Sequence, residues 1–235
     1  MTCLSTLQTV CNRVGLNSPT YVIGNTDPQI QQLLAMLNEE GEDLAQRTAW
    51  QSLTKEASFT TVATEIQGAV STIAPGLKYI INDTIWNRDL RRPIYGPLAA
   101  QRWQQLKAMS MQGPFNQFRV RGDDILFIPT PSAGQSCYFE YVSKYWLTDT
   151  SGTTSRSEFA SDDDVGVLDE SLLILGTIWR WKAMKGFDFT IDQEKYEERV
   201  MNAIARDGSK DWLNLADNRF DILPAILVPS GSWNL

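Results

Sequence analysis

The stretch Val167–Lys185, VLDESLLILGTIWRWKAMK, decides how the rest of the chain must fold. At about 100° per residue, Leu168, Leu172, Leu175 and Trp179 form one apolar stripe of a helix, and Ile174, Ile178 and Trp181 form a second roughly 120° away. One stripe suffices for a surface helix. Two require cover from two sides, which other parts of the chain have to supply. Asp169 and Glu170 in the first turn and Lys182 and Lys185 in the last suit the helix dipole, and Gly186 marks the stop.

Three further helices offer that cover. Thr2 can cap a helix with Leu4, Leu7, Val10, Cys11 and Val14 on one face and Gly15 past its end. Asp27-Pro28 opens a second, with Ile30, Leu33, Leu34, Leu37, Leu44 and Ala45 at helical spacing and an end near Arg47 to Trp50; Gly41 on that stripe suits close approach of another helix. After Gly186, Thr190-Ile191-Asp192-Gln193 matches a capping box and predicts a last helix with Tyr196, Val200 and Ile204 inside and Glu194, Glu197 and Glu198 outside.

Between these helices the period changes to two. Lys55–Ala63 reads as a strand, with Gly68–Ile73 as its partner, and Leu77–Ile81 and Thr84–Asn87 as further strands. Pro97 begins a short helix with Leu98, Trp103, Leu106 and Met109. Gln117–Arg121 and Ile125–Pro129 form a hairpin around Gly122-Asp123-Asp124, and Ser136–Lys144 follows as a third strand in meander order. Thr148–Asp164, rich in Ser and Thr, reads as a linker. The fold class is α+β: an antiparallel helical bundle (1–50 and 165–208), an inserted, mainly antiparallel β region with a short helix (51–164), and an extended C-terminal arm (209–235).

Composition narrows the chemistry. The 235 residues, 43% hydrophobic and 10% aromatic, can bury a sizeable core. A net charge of -7 argues against a phosphate-gripping surface and disfavours sequence-specific DNA binding. Histidine is absent, which removes Ser-His-Asp and Cys-His nucleophile activation and His-rich zinc sites. Cys3, Cys11 and Cys137 are odd in number, and in one helix Cys3 and Cys11 stand about 12 Å apart, too far for a disulfide; reduced, intracellular folding is the simpler reading. The amino-terminal stretch lacks a secretory pattern, and no apolar run approaches the ~20 residues of a membrane span.

Few residue groups suggest a site. Asp162, Asp163 and Asp164 lack the spacing of a calcium loop, and loop solubility with helix capping accounts for them better. Glu39, Glu40, Glu42 and Asp43 offer the paired carboxylates of a glycosidase, yet acids beside a leucine stripe usually form the wet face of a helix. Arg88, Arg91 and Arg92 beside Trp86 can meet nucleic acid or a protein partner, as a tail-facing or channel loop. No phosphate loop, CxxC pair or dinucleotide fingerprint occurs, so no catalytic residue, metal site or cofactor is expected.

Ser209–Leu235 is too apolar for a solvated tail and has no helical period. Ordering it costs on the order of 1 kcal/mol or more per residue, against ~1.5 to 3 kcal/mol for each large side chain buried, so its anchors need a docking surface. It either folds back on its own domain or reaches another subunit. The second reading makes Trp212, Leu215, Phe220, Ile222, Leu223, Ile226, Leu227 and Trp233 partner-binding residues, and it is the one preferred.

The order of elements carries a resemblance. The second helix ending in RTAW, the strand KEASFTTV, the segment IWNRDLRRPIYGPLAAQRW, the pair FRVRGDDILFIPTPSAGQSCYFEYVSKYW, and LLILGTIWRWKAMKG followed by EKYEERV together resemble the head-to-tail adaptors of tailed bacteriophages, also called connector or tail tubular protein A-like proteins. It spans about Leu4 to Arg206. The resemblance implies a structural virion protein without enzymatic activity, assembled in the host cytoplasm into a ring of twelve copies at the head-to-tail junction. Such a ring binds the portal protein, extends the channel for passing genomic DNA without sequence specificity, and docks the tail nozzle or fibres. It has no membrane partner, and its C-terminal arm lies against the portal. The competing readings are a carboxylate-based cell-wall glycosidase of the tail and another neck component such as a tail terminator.

Overall fold

The first helix, α1 (Cys3–Val14), begins and ends as its sequence predicts: the Thr2 hydroxyl accepts from the Ser5 amide at 3.3 Å, and Gly15 takes the left-handed conformation at φ 76°. In α2 (Pro28–Arg47) the Asp27 carboxylate accepts from the Gln29 amide at 2.9 Å, with Pro28 in the first turn. The computed structural model describes residues 1–109, 113 and 115–208, and within them the chain is mixed α+β, with six α-helices and antiparallel sheets. The eight arm residues named above lie outside the described residues.

The β region runs through β1 (Thr54–Thr60), β2 (Ile66–Ala69), the one-turn helix α3 (Val70–Ile73), β3 (Leu77–Ile80), β4 (Trp86–Asn87), β5 (Arg92–Pro93), α4 (Ala100–Ala108), β6 (Gln117–Arg121), β7 (Asp124–Ile128) and β8 (Ser136–Ser143). β8 is the hub: β1 pairs along its whole length on one side, from Thr54 opposite Val142 to Thr60 opposite Ser136, while β3 and β4 also pair with it. A second sheet has the order β2-β7-β6.

Three expectations are corrected here. Gly68–Ile73 is not the partner of β1. Gly68 and Ala69 pair with Ile125 and Asp124 of β7, and Val70–Ile73 turns into α3 because the Asp123 carboxylate accepts from the Ser71 amide at 2.9 Å while the Asp123 carbonyl takes the Val70 amide. The meander order also fails. The hairpin β6-β7 forms, but β2 occupies the other edge of β7, and Thr61 pins the next turn beside β1, donating to the Ser132 carbonyl at 2.7 Å and accepting from the Gln135 amide at 3.0 Å. The strand after that turn is thereby delivered to the other sheet. The helix expected from Pro97 starts at Ala100, because the Leu98 amide is already bonded to the Phe118 carbonyl at 2.9 Å.

Thr148–Asp164 is no linker either. It folds with its neighbours into a small sheet of β9 (Leu147–Thr148), β10 (Ser155–Arg156) and β11 (Val165–Gly166). Asp164, 1% exposed, accepts from the amides of Ala160 and Ser161, both at 2.8 Å, and pairs with Arg156. Asp162 accepts from the Ile23 amide at 2.7 Å, and Phe159 meets Trp146 edge to face with centroids 5.3 Å apart. Buried backbone groups that find side-chain partners remove the solvation a linker would need.

The decisive stretch becomes α5 (Glu170–Lys185), capped by Asp169 and closed by left-handed Gly186; α6 (Thr190–Arg206) follows after a short turn. The expected capping box at Thr190 does not form. Thr190 is already helical, Phe189 stands at the cap without a side-chain bond, and Asp188 accepts the Thr190 amide at 3.1 Å, since the turn is too short to place Thr190 outside the helix. α5 packs against α1, α2 and α6, so it is covered on three faces rather than two; Leu173, Gly176 and Thr177 form the face that the two stripes omitted. Burying Leu172, Leu173, Ile174, Ile178 and Trp181 stabilises this arrangement by about 1.5–3 kcal/mol for each large side chain. A second apolar cluster fills the β region around Phe118, Phe127, Phe139 and Tyr141, and a third joins Trp103 and Leu106 of α4 to Leu126 and Ile128 of β7.

Candidate functional site

The acidic stretch of α2 meets α5 and α6 at one buried point. Glu40 stands in line with Ile30, Leu33, Leu37 and Leu44, at the helical spacing that faces the core, and its exposure is 0%. The Arg180 Nε of α5 donates to Glu40 Oε2 at 2.8 Å, and its two other nitrogens reach Glu39, at 2.7 Å, and Asp43. The Tyr196 hydroxyl of α6 donates to the other Glu40 oxygen, and the Tyr196 ring lies 5.3 Å from the Arg47 guanidinium. Arg47 in turn grips Glu197 with two bonds of 2.6 and 2.9 Å. Gly176 makes room: a Cβ there would fall on the Glu40 carboxylate.

Electrostatics follow from that burial. Loss of water pushes the Glu40 carboxyl above the ordinary range, against the Tyr196 and Arg180 hydrogen bonds that favour its charged form. The Glu197 carboxyl is held below its ordinary value by the Arg47 hydrogen bond. Tyr196 is raised, first by burial and then by the Glu40 charge, and remains a donor. Sealed from solvent and saturated with partners, Glu40 fastens three helices and offers no oxygen to a substrate. The wet-face reading of this acid is therefore corrected. The signal in the sequence was its place on the leucine stripe, paired with a glycine and an arginine on the one helix that is apolar all round.

The arginines of the β4–β5 hairpin do not act as one cluster. The Arg88 guanidinium carbon lies over the Tyr138 ring, 3.5 Å from its centroid, and the side chain pairs with Glu56. Arg91 sits in the tip at φ 53°, and Arg92 pairs across the ladder with Asn87; both are exposed. The tip is braced from inside. Asn87, 2% exposed, donates to Gln135 Oε1 at 2.8 Å and accepts from the Leu90 amide at 2.9 Å. A hollow of about 310 Å³ beside it is bordered by Glu56, Trp86, Arg88, Tyr138 and Glu140.

The other candidates are the cysteines, the acidic groups and the hollows of the surface. All three cysteines are free and buried; burial pushes Cys3 and Cys137 up to about 12, with Asp162 and Asp164 adding to Cys3 and Asp89 to Cys137, so the reactive thiolate is suppressed. No group of three possible metal ligands occurs among the described residues. A hollow of about 820 Å³ lies between the start of α5 and α6, where Arg13, Lys195 and Arg199 face Asp169 and Glu170, and the terminal amine of Met1 pairs with Glu170. No helix of the described residues is long and apolar enough to cross a membrane.

No protein-family model and no curated protein matches the chain.

Proposed function

We propose that the chain is a structural subunit of the head-to-tail junction of a tailed phage: an adaptor whose ring of copies sits between portal and tail, extends the channel for DNA and docks the tail nozzle or fibres, without enzymatic activity. The observation that carries the reading is the order of the chain. Helices from both sides of the β region, α1 and α2 before it and α5 and α6 after it, pack together around α5, with the strands inserted between them. The resemblance implies a helical bundle with an inserted β region, and the contacts of α5 with helices from both sides of the strands support that reading. The use of Glu40, Arg180 and Tyr196 as mutual partners supports a scaffold over a glycosidase, which needs two carboxyl groups facing a cleft. In this reading the apolar segment Ser209–Leu235 meets the portal.

Mixing the purified protein with its portal and imaging the product tests the proposal. A ring on the portal is the expected outcome, and its absence overturns the reading. Truncation before Ser209 is expected to leave a folded chain, by circular dichroism, that no longer assembles on the portal.

A further inference from the structure

Charge is segregated along this molecule. Between Ile85 and Arg121 seven Arg and Lys residues stand against one acid, Asp89, in a chain of net charge -7. The fold places part of that segment on one face. Along β6, Phe118 and Val120 point to the β core, so Arg119 and Arg121 lie on the opposite side of the sheet, the side that also holds Leu126 and α4. The exposed surface of α4 adds Arg102 and Lys107. Just before β6 the rings of Phe115 and Tyr95 meet edge to face with centroids 5.7 Å apart, and both stay exposed, at 42% and 46%. Lys107 pairs with Glu65 at 2.8 Å, whereas Arg119 and Arg121 form no ion pair among the described residues.

The outside of α6 is the complement of that face. Ile191, Glu194, Glu198 and Met201 fall within an arc of about 80° on the helix, and all four are exposed, with Lys195 at the border. Ile191 at 74% and Met201 at 71% are the most exposed large hydrophobic residues among those described. One face thus joins two apolar rings to cations, and the other joins two apolar chains to carboxylates.

We propose that these faces are the two halves of one interface between copies of this chain. The outer stripe of α6 seats Ile191, at one end, on the Tyr95–Phe115 pair of the next copy, and Glu194 and Glu198, one and two turns further along the helix, meet Arg119 and Arg121, which follow Phe115, along β6. Because the two patches differ, the contact is heterologous and runs head to tail, the kind that closes into rings. Closure rests on the adaptor reading above; the contact itself rests on exposure and charge. Nucleic acid fits the basic face less well: Tyr95 and Phe115 are held edge to face, so they present no parallel pair of ring faces to stack bases, and the acidic remainder of the chain repels phosphate.

Two variants of the full chain test this, Arg119→Glu/Arg121→Glu and Glu194→Lys/Glu198→Lys, with circular dichroism to verify folding. Sedimentation of the native chain at low salt is expected to show self-association that fades as salt rises. Each variant alone should associate roughly 100-fold more weakly or less well still, because like charges now face each other. An equimolar mixture should recover association, since each altered face then meets an opposite charge. The proposal is overturned by a native chain that stays monomeric, by variants that associate like the native chain, or by a mixture that fails to recover. An arginine variant that self-associates normally but loses retention of duplex DNA assigns the face to nucleic acid and likewise overturns it. A ring on the portal that ignores both variants removes this contact and keeps the adaptor reading; self-association without any ring on the portal does the reverse.

Discussion

The helical layer and the β region solve the problem of a specific interior in different ways. The core of the β region is an apolar cluster in which Phe59, Phe127 and Phe139 meet edge to face, with centroids 5.8 and 6.3 Å apart, and strand pairing sets its register. The helical core contains a carboxylate. Apolar stripes on helices allow neighbouring helices to slide or rotate at little cost, whereas a strand that slips by one residue inverts all its side chains. Glu40, bonded to Arg180 and Tyr196, gives α2, α5 and α6 one shared geometry that satisfies all three. Gly41 and Gly176 add steric keys: a Cβ on the first would clash with the Trp146 ring, and one on the second would fall on Glu40.

The largest effect should come from breaking that ionic key. Arg180→Met keeps much of the volume but leaves Glu40 buried without its cation, and urea unfolding should report a loss of about 3–5 kcal/mol. A loss below about 1 kcal/mol would erase the contrast between the regions, since the two cores would then be held alike. Next comes Gly41→Ala. Helix propensity alone predicts a gain of about 1 kcal/mol, yet the displaced Trp146 ring should turn this into a net loss of about 1–3 kcal/mol in thermal unfolding.

Titration sharpens the same comparison. The Glu40 carboxyl is raised in the folded chain, so the native state holds its proton longer than the unfolded state does, and stability falls as pH rises from the ordinary value of 4.5 through the folded one. Glu197, held low by Arg47, acts in the opposite sense: its contribution is present above the ordinary value and lost as pH falls through the folded one. Glu40→Gln should therefore narrow its deficit relative to the native chain as pH rises above 4.5, by no more than about 1.4 kcal/mol per pH unit, in urea titrations across pH. A constant difference would mean that Glu40 titrates alike in both states. The smallest change belongs to the β region. Arg88→Ala removes an exposed contact over the Tyr138 ring and an exposed pair with Glu56, and should cost about 0.5–1 kcal/mol in the same unfolding measurement.

Local signals were legible where the chain satisfies its own backbone. Thr2, Asp27 and Asp169 accept amides two or three residues ahead, and Gly15 and Gly186 take left-handed conformations, so α1, α2 and α5 could be read from short stretches. The hairpin β6-β7 was legible for the same reason, being closed by its own turn. Signals failed where the partner lies far along the chain. Ser and Thr around Asp162 and Asp164 read as a linker because Val22, Ile23 and Asn38, which bind the segment, are more than a hundred residues away. Glu40 read as wet because its partners Arg180 and Tyr196 belong to helices well over a hundred residues later.

Sequence by itself determined that α5 must be enclosed, that helices flank a region of strands, and that no histidine chemistry operates in this chain. Each depends on composition or on a period of a few residues, and both are complete within the string. Tertiary structure alone decided that β8 joins β1 instead of β7, that a carboxylate lies inside the helical layer, and which outer faces carry opposite charge. Strand partnership and burial are choices among many distant partners of similar local merit, and only the packing of all of them at once selects the set that leaves few polar groups unsatisfied.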